Sequence, residues 1–320
     1  MKIQPVLIAL VVLLAFSSCQ SEKGRAREQI AQLEKAMEAN PSTEDAETLI
    51  KLYQDYAAQY PDDADYNPRY LYRAAALQFR QNHFSGAATL LGQAIDGYYE
   101  SDNTPQAIRF LGELFLDNLL NPESATTVFQ ALVEAFPGTE AAKKAQEKLP
   151  ASAPAPLSRI DMMASQMFND SLKRYDYRIT NNYIASCELY AMILPNSPDA
   201  PRLLYDAAEA SRSVRAFTKA LKLYEKINTR YPEYEKAPLA LFMRAFTLDN
   251  DLKRYDEARV LYEEFLAKYP DHDFAEDARA VLENLGKTDE EILQMLEEKN
   301  KAKAEEASKS GQFNTEKATE

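Results

Sequence analysis

The sequence predicts an all-α fold, and three observations carry that prediction. Glycine is scarce, with 8 residues in a chain of 320, whereas alanine, leucine, glutamate and lysine are abundant. This balance favours helices and leaves few residues for the tight turns of an all-β protein. Hydrophobic residues make up 46% of the chain, which is enough to fill a core. The third observation is a repeat long enough to hold two helices.

Internal repetition is the main organising feature of the chain. Tyr231-Pro232 and Tyr269-Pro270 end two segments whose prolines lie 38 residues apart, and Ala220 and Ala258 repeat at the same spacing. Periods of this length are typical of proteins that stack one helix pair on the next. Because proline cannot continue a helix, each aromatic-proline pair is expected to close one pair of helices.

Small and large side chains follow the same order in successive units. In the clearest unit they are Leu204, Ala207, Ala208, Ala220, Tyr224 and Ile227, and in the next they are Phe242, Ala245, Ala258, Tyr262 and Phe265. This order resembles the tetratricopeptide repeat (TPR). Small residues let two helices cross closely, and the large ones fill the space to the next unit. The resemblance covers residues 25–285 and implies a TPR-type α-solenoid of about six helix pairs.

The repeat spacing is interrupted once. Pro137 and Pro195 lie 58 residues apart, which exceeds one repeat by 20, and the excess contains a stretch rich in proline and alanine. Such a stretch is expected to be extended and semi-rigid. The predicted divisions are an N-terminal block at 25–149, a linker at 150–157, a C-terminal block with capping helices at 158–299, and a disordered tail at 300–320. One continuous superhelix with a proline-rich loop is the alternative that the sequence leaves open.

The N-terminus carries an export signal. Lys2 precedes an unbroken apolar run of 11 residues from Val6 to Phe16, which is too short to span a bilayer. The run leads into Ser17-Ser18-Cys19, which resembles the lipobox of bacterial lipoproteins. The resemblance implies a signal peptide at 1–18 and a lipid on Cys19, with 19–24 as the lipidated N-terminus and tether.

The residue after the cysteine bears on the destination of such a lipoprotein. Gln20 resembles outer-membrane cargo, because aspartate at that position favours retention in the inner membrane. The expected location is therefore the outer membrane, with the chain facing the periplasm and surface exposure as the alternative. Several acyl chains would hold the protein there stably, at roughly 0.8 kcal/mol for each buried CH₂ group.

The remaining composition excludes several classes of function. The net charge is −13 and no basic run offers a surface for phosphates, so nucleic acid is not an expected partner. Only two histidines occur, His83 and His272, and neither has a cysteine or histidine at metal-ligand spacing. Glycine-rich phosphate loops and nucleophile elbows are also absent from the sequence. We therefore expect a protein that is not an enzyme and uses neither metal nor cofactor.

A partner-binding groove is the one candidate site besides Cys19. In the TPR family the first helix of each pair lines the concave face, and the resemblance implies the matching positions here. These are Arg69, Tyr72, Phe79 and Arg80 in one unit, Arg202, Tyr205 and Arg212 in a later one, and Met243 in the next. Guanidinium forks beside flat aromatic faces suit carboxylates and extended peptides. The competing interpretation is that these arginines only pair with neighbouring Asp and Glu side chains.

The expected function is a protein-binding scaffold anchored by lipid to the outer membrane, in support of envelope assembly or maintenance. The chain is similar in kind to the TPR lipoproteins of the β-barrel assembly machine and of the Tol-Pal system. Expected partners are other envelope proteins or extended peptides, together with the membrane through Cys19. A surface-exposed lipoprotein that binds a nutrient or a glycan is the alternative.

Overall fold

A computed structural model describes the backbone of residues 4–169 and 173–288, with 290–291, 293–295, 297–298 and 300–302 beyond. Side chains are described from Glu22 onward, except at 169–172 and at the gaps near the C-terminus. The side chain of Cys19 and the predicted tail from residue 303 therefore lie outside the described part. The chain divides into two compact units, Met1–Leu203 and Leu204–Glu320.

The described residues are almost entirely helical, as the composition predicts. The helices are α1 (Gln4–Ala39), α2 (Thr43–Gln59), α3 (Asn67–Arg80), α4 (Phe84–Gly97), α5 (Thr104–Glu113), α6 (Pro122–Ala135), α7 (Glu140–Lys148), α8 (Pro156–Gln166), α9 (Tyr177–Ile193), α10 (Ala200–Ser213), α11 (Phe217–Arg230), α12 (Ala237–Phe246), α13 (Tyr255–Lys268) and α14 (Ala275–Asn284). Single π-helical turns extend α5 at Leu114–Asn118 and α12 at Thr247–Asp251. Two short antiparallel strands, β1 (Phe168–Asn169) and β2 (Arg174–Tyr175), form a hairpin.

The aromatic-proline pairs end helices, as their spacing predicts. The aromatic residue leaves the helical conformation with nearly the same φ in four repeats: −127° at Tyr60, −130° at Phe136, −129° at Tyr231 and −134° at Tyr269. The cause is steric, because the ring of a proline disfavours helical geometry in the residue before it. One local rule thus closes α2, α6, α11 and α13.

The alanines of the repeat lie where helices cross. Those with no exposed surface include Ala74, Ala87, Ala207, Ala208, Ala220, Ala245 and Ala258. Tyr224 and Tyr262, the large residues predicted beside them, are likewise fully buried. In the first unit, Leu49, Tyr53 and Tyr56 of α2 are buried at 3% exposure or less.

The proline and alanine stretch at 150–157 lies inside the first unit, and the division between units falls at Leu203–Leu204. Helices α6 and α9, on either side of the stretch, pack together, with Thr127 Oγ1 donating to Ser186 Oγ at 3.1 Å. The stretch itself is fastened to α6, because Gln130 Nε2 donates to the Pro154 carbonyl at 2.7 Å. Helix α8 and the hairpin occupy the rest of the excess, and neither was predicted.

The C-terminal end of the repeats agrees with the prediction of a capping helix. Helix α14 is the predicted capping helix after the last repeat. At the next turn, Glu291 N donates to Thr288 Oγ1 at 3.2 Å and Thr288 N donates to Glu291 Oε2 at 2.7 Å. This reciprocal pair is a capping box, the arrangement that opens a helix. Across the part of the chain that the structure describes, no helix is both long and apolar enough to cross a bilayer.

Candidate functional site

The four predicted groove residues of α3 separate into two aromatic and two basic positions. Tyr72 and Phe79 are half-buried, and their ring centroids lie 5.8 and 5.4 Å from that of Phe110 on α5. Arg69 and Arg80 are exposed near opposite ends of the helix and line two different clefts. The structure therefore brings the aromatic pair together and keeps the two arginines apart.

Arg202, in the first turn of α10, pairs with an acid that directly precedes the helix. Its Nη2 lies 2.8 Å from Asp199 Oδ1, three residues earlier in the chain. This is the short-range pairing that the competing interpretation anticipates.

Tyr205, one turn further along α10, is half-buried against α11. Its ring centroid lies 6.0 Å from that of Tyr224, and the Lys236 ammonium lies 5.0 Å from its ring centroid. Burial, reinforced by Glu209, raises the pKa of Tyr205 to about 12. The hydroxyl is therefore un-ionised at neutral pH, and the ring serves as a packing surface.

Arg212, at the C-terminal end of α10, is engaged by acids from two helices. Its Nε and Nη2 both donate to Asp251 Oδ2, at 3.3 and 3.1 Å, and its Nη1 lies 4.0 Å from Glu209. The guanidinium also lies 5.3 Å from the ring centroid of Phe246. Burial would lower the pKa of Arg212, but the bond to Asp251 and the surrounding negative charges raise it. This arginine joins the first helices of two successive repeats.

A buried tyrosine that donates to a glutamate recurs in the two units and was not predicted. The Tyr224 hydroxyl, on α11, donates to Glu209 on α10, and the Tyr53 hydroxyl, on α2, donates to Glu34 on α1. Burial first, and then the nearby carboxylate, raises the pKa of both tyrosines. Glu34 also pairs with Arg73, which lies 39 residues later, the same separation as between Arg212 and Asp251. That separation of about one repeat was the available sequence signal for the two ion pairs, whereas the tyrosine and glutamate residues lie 19 and 15 positions apart and share no spacing.

An apolar cleft opens in the second unit between α12 and α14. It has a volume of about 620 Å³, and its apolar wall includes Phe242, Phe246, Phe274, Val281 and Leu285. Charged groups of both signs line it as well: Asp249, Lys253, Asp277 and Lys287. Burial raises the pKa of Asp249, and Lys253 partly offsets that effect. The cleft suits an apolar side chain flanked by polar or charged groups.

Met243, the last predicted groove residue, lies on α12 and packs against the core of the second unit. It is half-buried and does not line the cleft. Within the described residues, no group of three or more His, Cys, Asp or Glu side chains is placed to hold a metal ion.

Part of the second unit matches a known protein family. The tetratricopeptide repeat family model matches residues 239–272, which hold most of α12, its π-helical turn and α13. This segment is similar to a tetratricopeptide repeat, and we refer to it as the TPR. The fold class of the described residues is all-α, built from successive helix pairs of the TPR type.

The chain is similar to the TPR2AB-domain:pHSP90-complex of yeast Sti1, with 15% sequence identity and a TM-score of 0.30. That likeness covers 81% of this chain and 97% of the other. No curated protein matches the chain.

The TPR supplies one wall of the cleft. Phe242, Phe246, Asp249 and Lys253 come from its first helix, the π-helical turn and the residues that follow. Lys253 adopts a left-handed conformation, with φ of 56°, at the turn into α13. The π-helical turn widens the end of the first helix here, a distortion that occurs often at functional positions.

Proposed function

We propose that this protein is a non-catalytic scaffold that binds extended segments of other envelope proteins. A lipid on Cys19 holds it on the outer membrane, where it faces the periplasm and supports envelope assembly or maintenance. The observation that carries the binding proposal is the cleft between the TPR and α14, because it offers an aromatic wall and charges of both signs in one accessible place.

The chemistry of the cleft indicates what it accepts. Phe246 and Phe274 offer apolar surface to one side chain of a bound segment, and Lys253 and Lys287 offer donors to its carboxylate or carbonyl groups. The 620 Å³ volume is within the range of about 300–1,000 Å³ that is usual for ligand clefts. A short stretch of a partner chain, centred on one large apolar residue, fits these conditions.

The predicted groove arginines are less suitable for a test mutation than the residues of the cleft. Arg202 and Arg212 are committed to Asp199 and Asp251, so a change to glutamate would break internal ion pairs as well as any contact with a partner. Such a variant could lose partner capture through damage to α10 alone. The test mutation should therefore be made at a side chain that forms no internal ion pair.

Ala280 provides that test, since it is exposed on α14 and lines the cleft. In Ala280→Trp the indole fills the opening, and we expect the loss of the protein partner that crosslinks to the wild-type chain in living cells. Glu276→Trp is the matched control, because Glu276 is exposed on the same helix and lies outside the cleft. Retention of the partner by Ala280→Trp, with the helical circular dichroism unchanged, would refute the cleft as the binding site.

Anchoring is tested separately with Cys19→Ser. We expect this variant to leave the membrane fraction or to remain unprocessed, whereas the wild type stays with the outer membrane. Metabolic labelling with a fatty acid should mark the wild type only. A Cys19→Ser chain that still fractionates with the membrane and has a processed N-terminus would contradict the lipid anchor.

Orientation is tested by treating intact cells with protease. A scaffold that faces the periplasm survives the treatment, whereas a surface receptor for a nutrient or glycan is degraded. Loss of the chain from intact cells would overturn the periplasmic assignment and leave the lipid anchor in place.

A further inference from the structure

The segment that follows the proposed lipidation site is not a loose tether. The Lys23 ammonium lies 2.9 Å from Asp63 Oδ2, in the turn between α2 and α3, and 5.9 Å from the ring centroid of Tyr60. Asp63 is buried and also accepts a hydrogen bond from the Tyr56 hydroxyl. An ion pair with one buried partner and a second hydrogen bond fixes this end of α1 more firmly than an exposed pair would.

Further contacts continue the attachment along α1. Ile30 is 1% exposed and belongs to the core of the first unit, and Glu34 binds both Tyr53 and Arg73. Lys23, Ile30 and Glu34 therefore dock α1 over about three helical turns. Even fully extended, the four residues from Cys19 to Lys23 would span about 14 Å. A lipid on Cys19 would thus hold the α2–α3 turn close to the bilayer surface.

The side chains at that turn form an unusual combination of charge and aromatic surface. Two guanidinium groups, from Arg27 and Arg69, lie 4.6 and 4.9 Å from the ring centroid of Tyr66. Arg69 donates through Nε to the Asp65 carbonyl at 3.0 Å, which leaves its terminal nitrogens available. The Arg27 guanidinium packs against the ring of Tyr66, and its positive charge is among the causes that lower the pKa of the buried Asp63. Both arginines therefore retain donors for an outside anion.

Acidic residues on the same turn restrict the chemical class of ligand that this surface can bind. Asp62 and Asp65 are exposed in the same turn, and the Asp65 carbonyl accepts a hydrogen bond from Arg69, so this turn carries both signs of charge and is not a general binding surface for anions. A zwitterionic phospholipid headgroup presents a phosphate and an ammonium group a few ångströms apart, which matches guanidinium and carboxylate groups side by side. Tyrosine is also favoured at the boundary between lipid and water.

We propose that the surface formed by Arg27, Asp62, Asp65, Tyr66 and Arg69 rests on the bilayer and binds zwitterionic phospholipid headgroups. The guanidinium groups take the phosphates and the carboxylates take the ammonium groups. This inference rests on the proposed lipidation of Cys19 and goes beyond it, because it fixes the orientation of the first unit against the membrane. An acidic protein segment that occupies the two arginines is the competing occupant.

The test uses the full lipidated protein on phosphatidylethanolamine vesicles that contain a fluorescence-quenching label on the headgroup. A fluorophore is attached to Ala64→Cys, which lies in the turn, or to Lys143→Cys, an exposed control position on α7. Cys187 is buried and the Cys19 thiol carries lipid, so each protein is labelled at one site. Flotation of the vesicles first establishes that the protein is anchored.

We expect stronger quenching at position 64 than at position 143, and a clear decrease at position 64 in the Arg27→Gln, Arg69→Gln double variant. Equal quenching at the two positions in protein that floats would overturn the proposed orientation while leaving the anchor intact. Undiminished quenching in the double variant would overturn headgroup binding by the arginines. Protein that lacks lipid and does not float would instead defeat the anchor, and the inference with it.

Discussion

The hydroxyl of Tyr224 donates a hydrogen bond to the carboxylate of Glu209, which joins the two helices of one repeat through a fully buried side chain. Tyr53 and Glu34 form the same relationship in the first unit. A buried tyrosine hydroxyl needs a partner, and a half-buried glutamate supplies a strong one. These two helix pairs thus contain a polar connection inside an otherwise apolar crossing, whereas the hydroxyl of Tyr262, one repeat after Tyr224, is buried without a hydrogen-bond partner among the described residues.

This connection predicts the effect of Tyr224→Phe. The change removes the hydroxyl but keeps the ring, so it should lower the free energy of unfolding by about 1–2 kcal/mol. Urea denaturation measures the loss, and Tyr177→Phe is the control because Tyr177 is 62% exposed. A Tyr224→Phe protein as stable as the control variant would show that the bond contributes nothing.

Gly112 predicts a steric effect at the crossing of α5 and α6. A Cβ atom at this position would lie 2.3 Å from Cε1 of Phe129, a ring that is 1% exposed and cannot move aside. Gly112→Ala should therefore lower the free energy of unfolding by about 1–3 kcal/mol.

Gly92 supplies the matched control for that prediction. It lies inside α4 with no atom within 4 Å of an added Cβ. Gly92→Ala should raise stability by about 0.5–1 kcal/mol, because alanine loses less conformational entropy in a helix. Thermal denaturation of both variants gives the comparison, and shifts of the same sign would contradict it.

Asp63 predicts a pH dependence for the docking of α1. Burial alone would raise the pKa of Asp63, but the bonds from Tyr56 and Lys23 outweigh it and lower the pKa below the ordinary value. A carboxyl group with a lowered pKa stabilises the fold above its unfolded pKa of about 3.9, and that stabilisation is lost as the pH falls through the folded pKa.

The measurement compares the wild type with Asp63→Asn by urea denaturation across this range. The wild type should be more stable by about 1–3 kcal/mol at neutral pH. The advantage should shrink steadily below about pH 4. A difference that stays constant down to about pH 2 would contradict an ionised Asp63 as its source.

The left-handed backbone at Leu120 predicts that the Leu120→Gly variant is more stable than the wild type. It follows the π-helical turn of α5 with φ of 51°, and its side chain is 78% exposed. A left-handed conformation costs a residue with a Cβ atom about 1–2 kcal/mol. Leu120→Gly should recover part of that cost, whereas Leu120→Ala, which keeps the Cβ atom, should not. Equal melting temperatures for the two variants would contradict the strain.

The sequence predicted what depends on local pattern. The spacing of Ala220 and Ala258 and of the aromatic-proline pairs located α11 and α13, because the requirements of a close crossing and of a helix end are set by a few adjacent residues. Helix α8 and the hairpin were missed because they follow the stretch rich in proline and alanine without a periodic apolar face, and Ile160 is the buried residue of α8.

At the candidate site, the features that could not be predicted depend on contacts between residues that lie far apart in the sequence. Arg212 reads as a free groove residue until Asp251, 39 positions later, is brought to it by the π-helical turn at the end of α12. The cleft was also missed, because Phe242 and Phe246 look like core positions and Phe274 like the start of a cap. Their common opening exists only once α14 has packed beside the TPR.

The most direct test of the central claim places a photo-reactive side chain at position 280, in the cleft, in cells that express the lipidated protein. If a partner binds in the cleft, we expect a discrete adduct with a protein of the membrane fraction. A photo-reactive group at position 276, on the same helix and outside the cleft, should give none. Absence of an adduct at position 280, or the same adduct from both positions, would contradict a partner bound in the cleft.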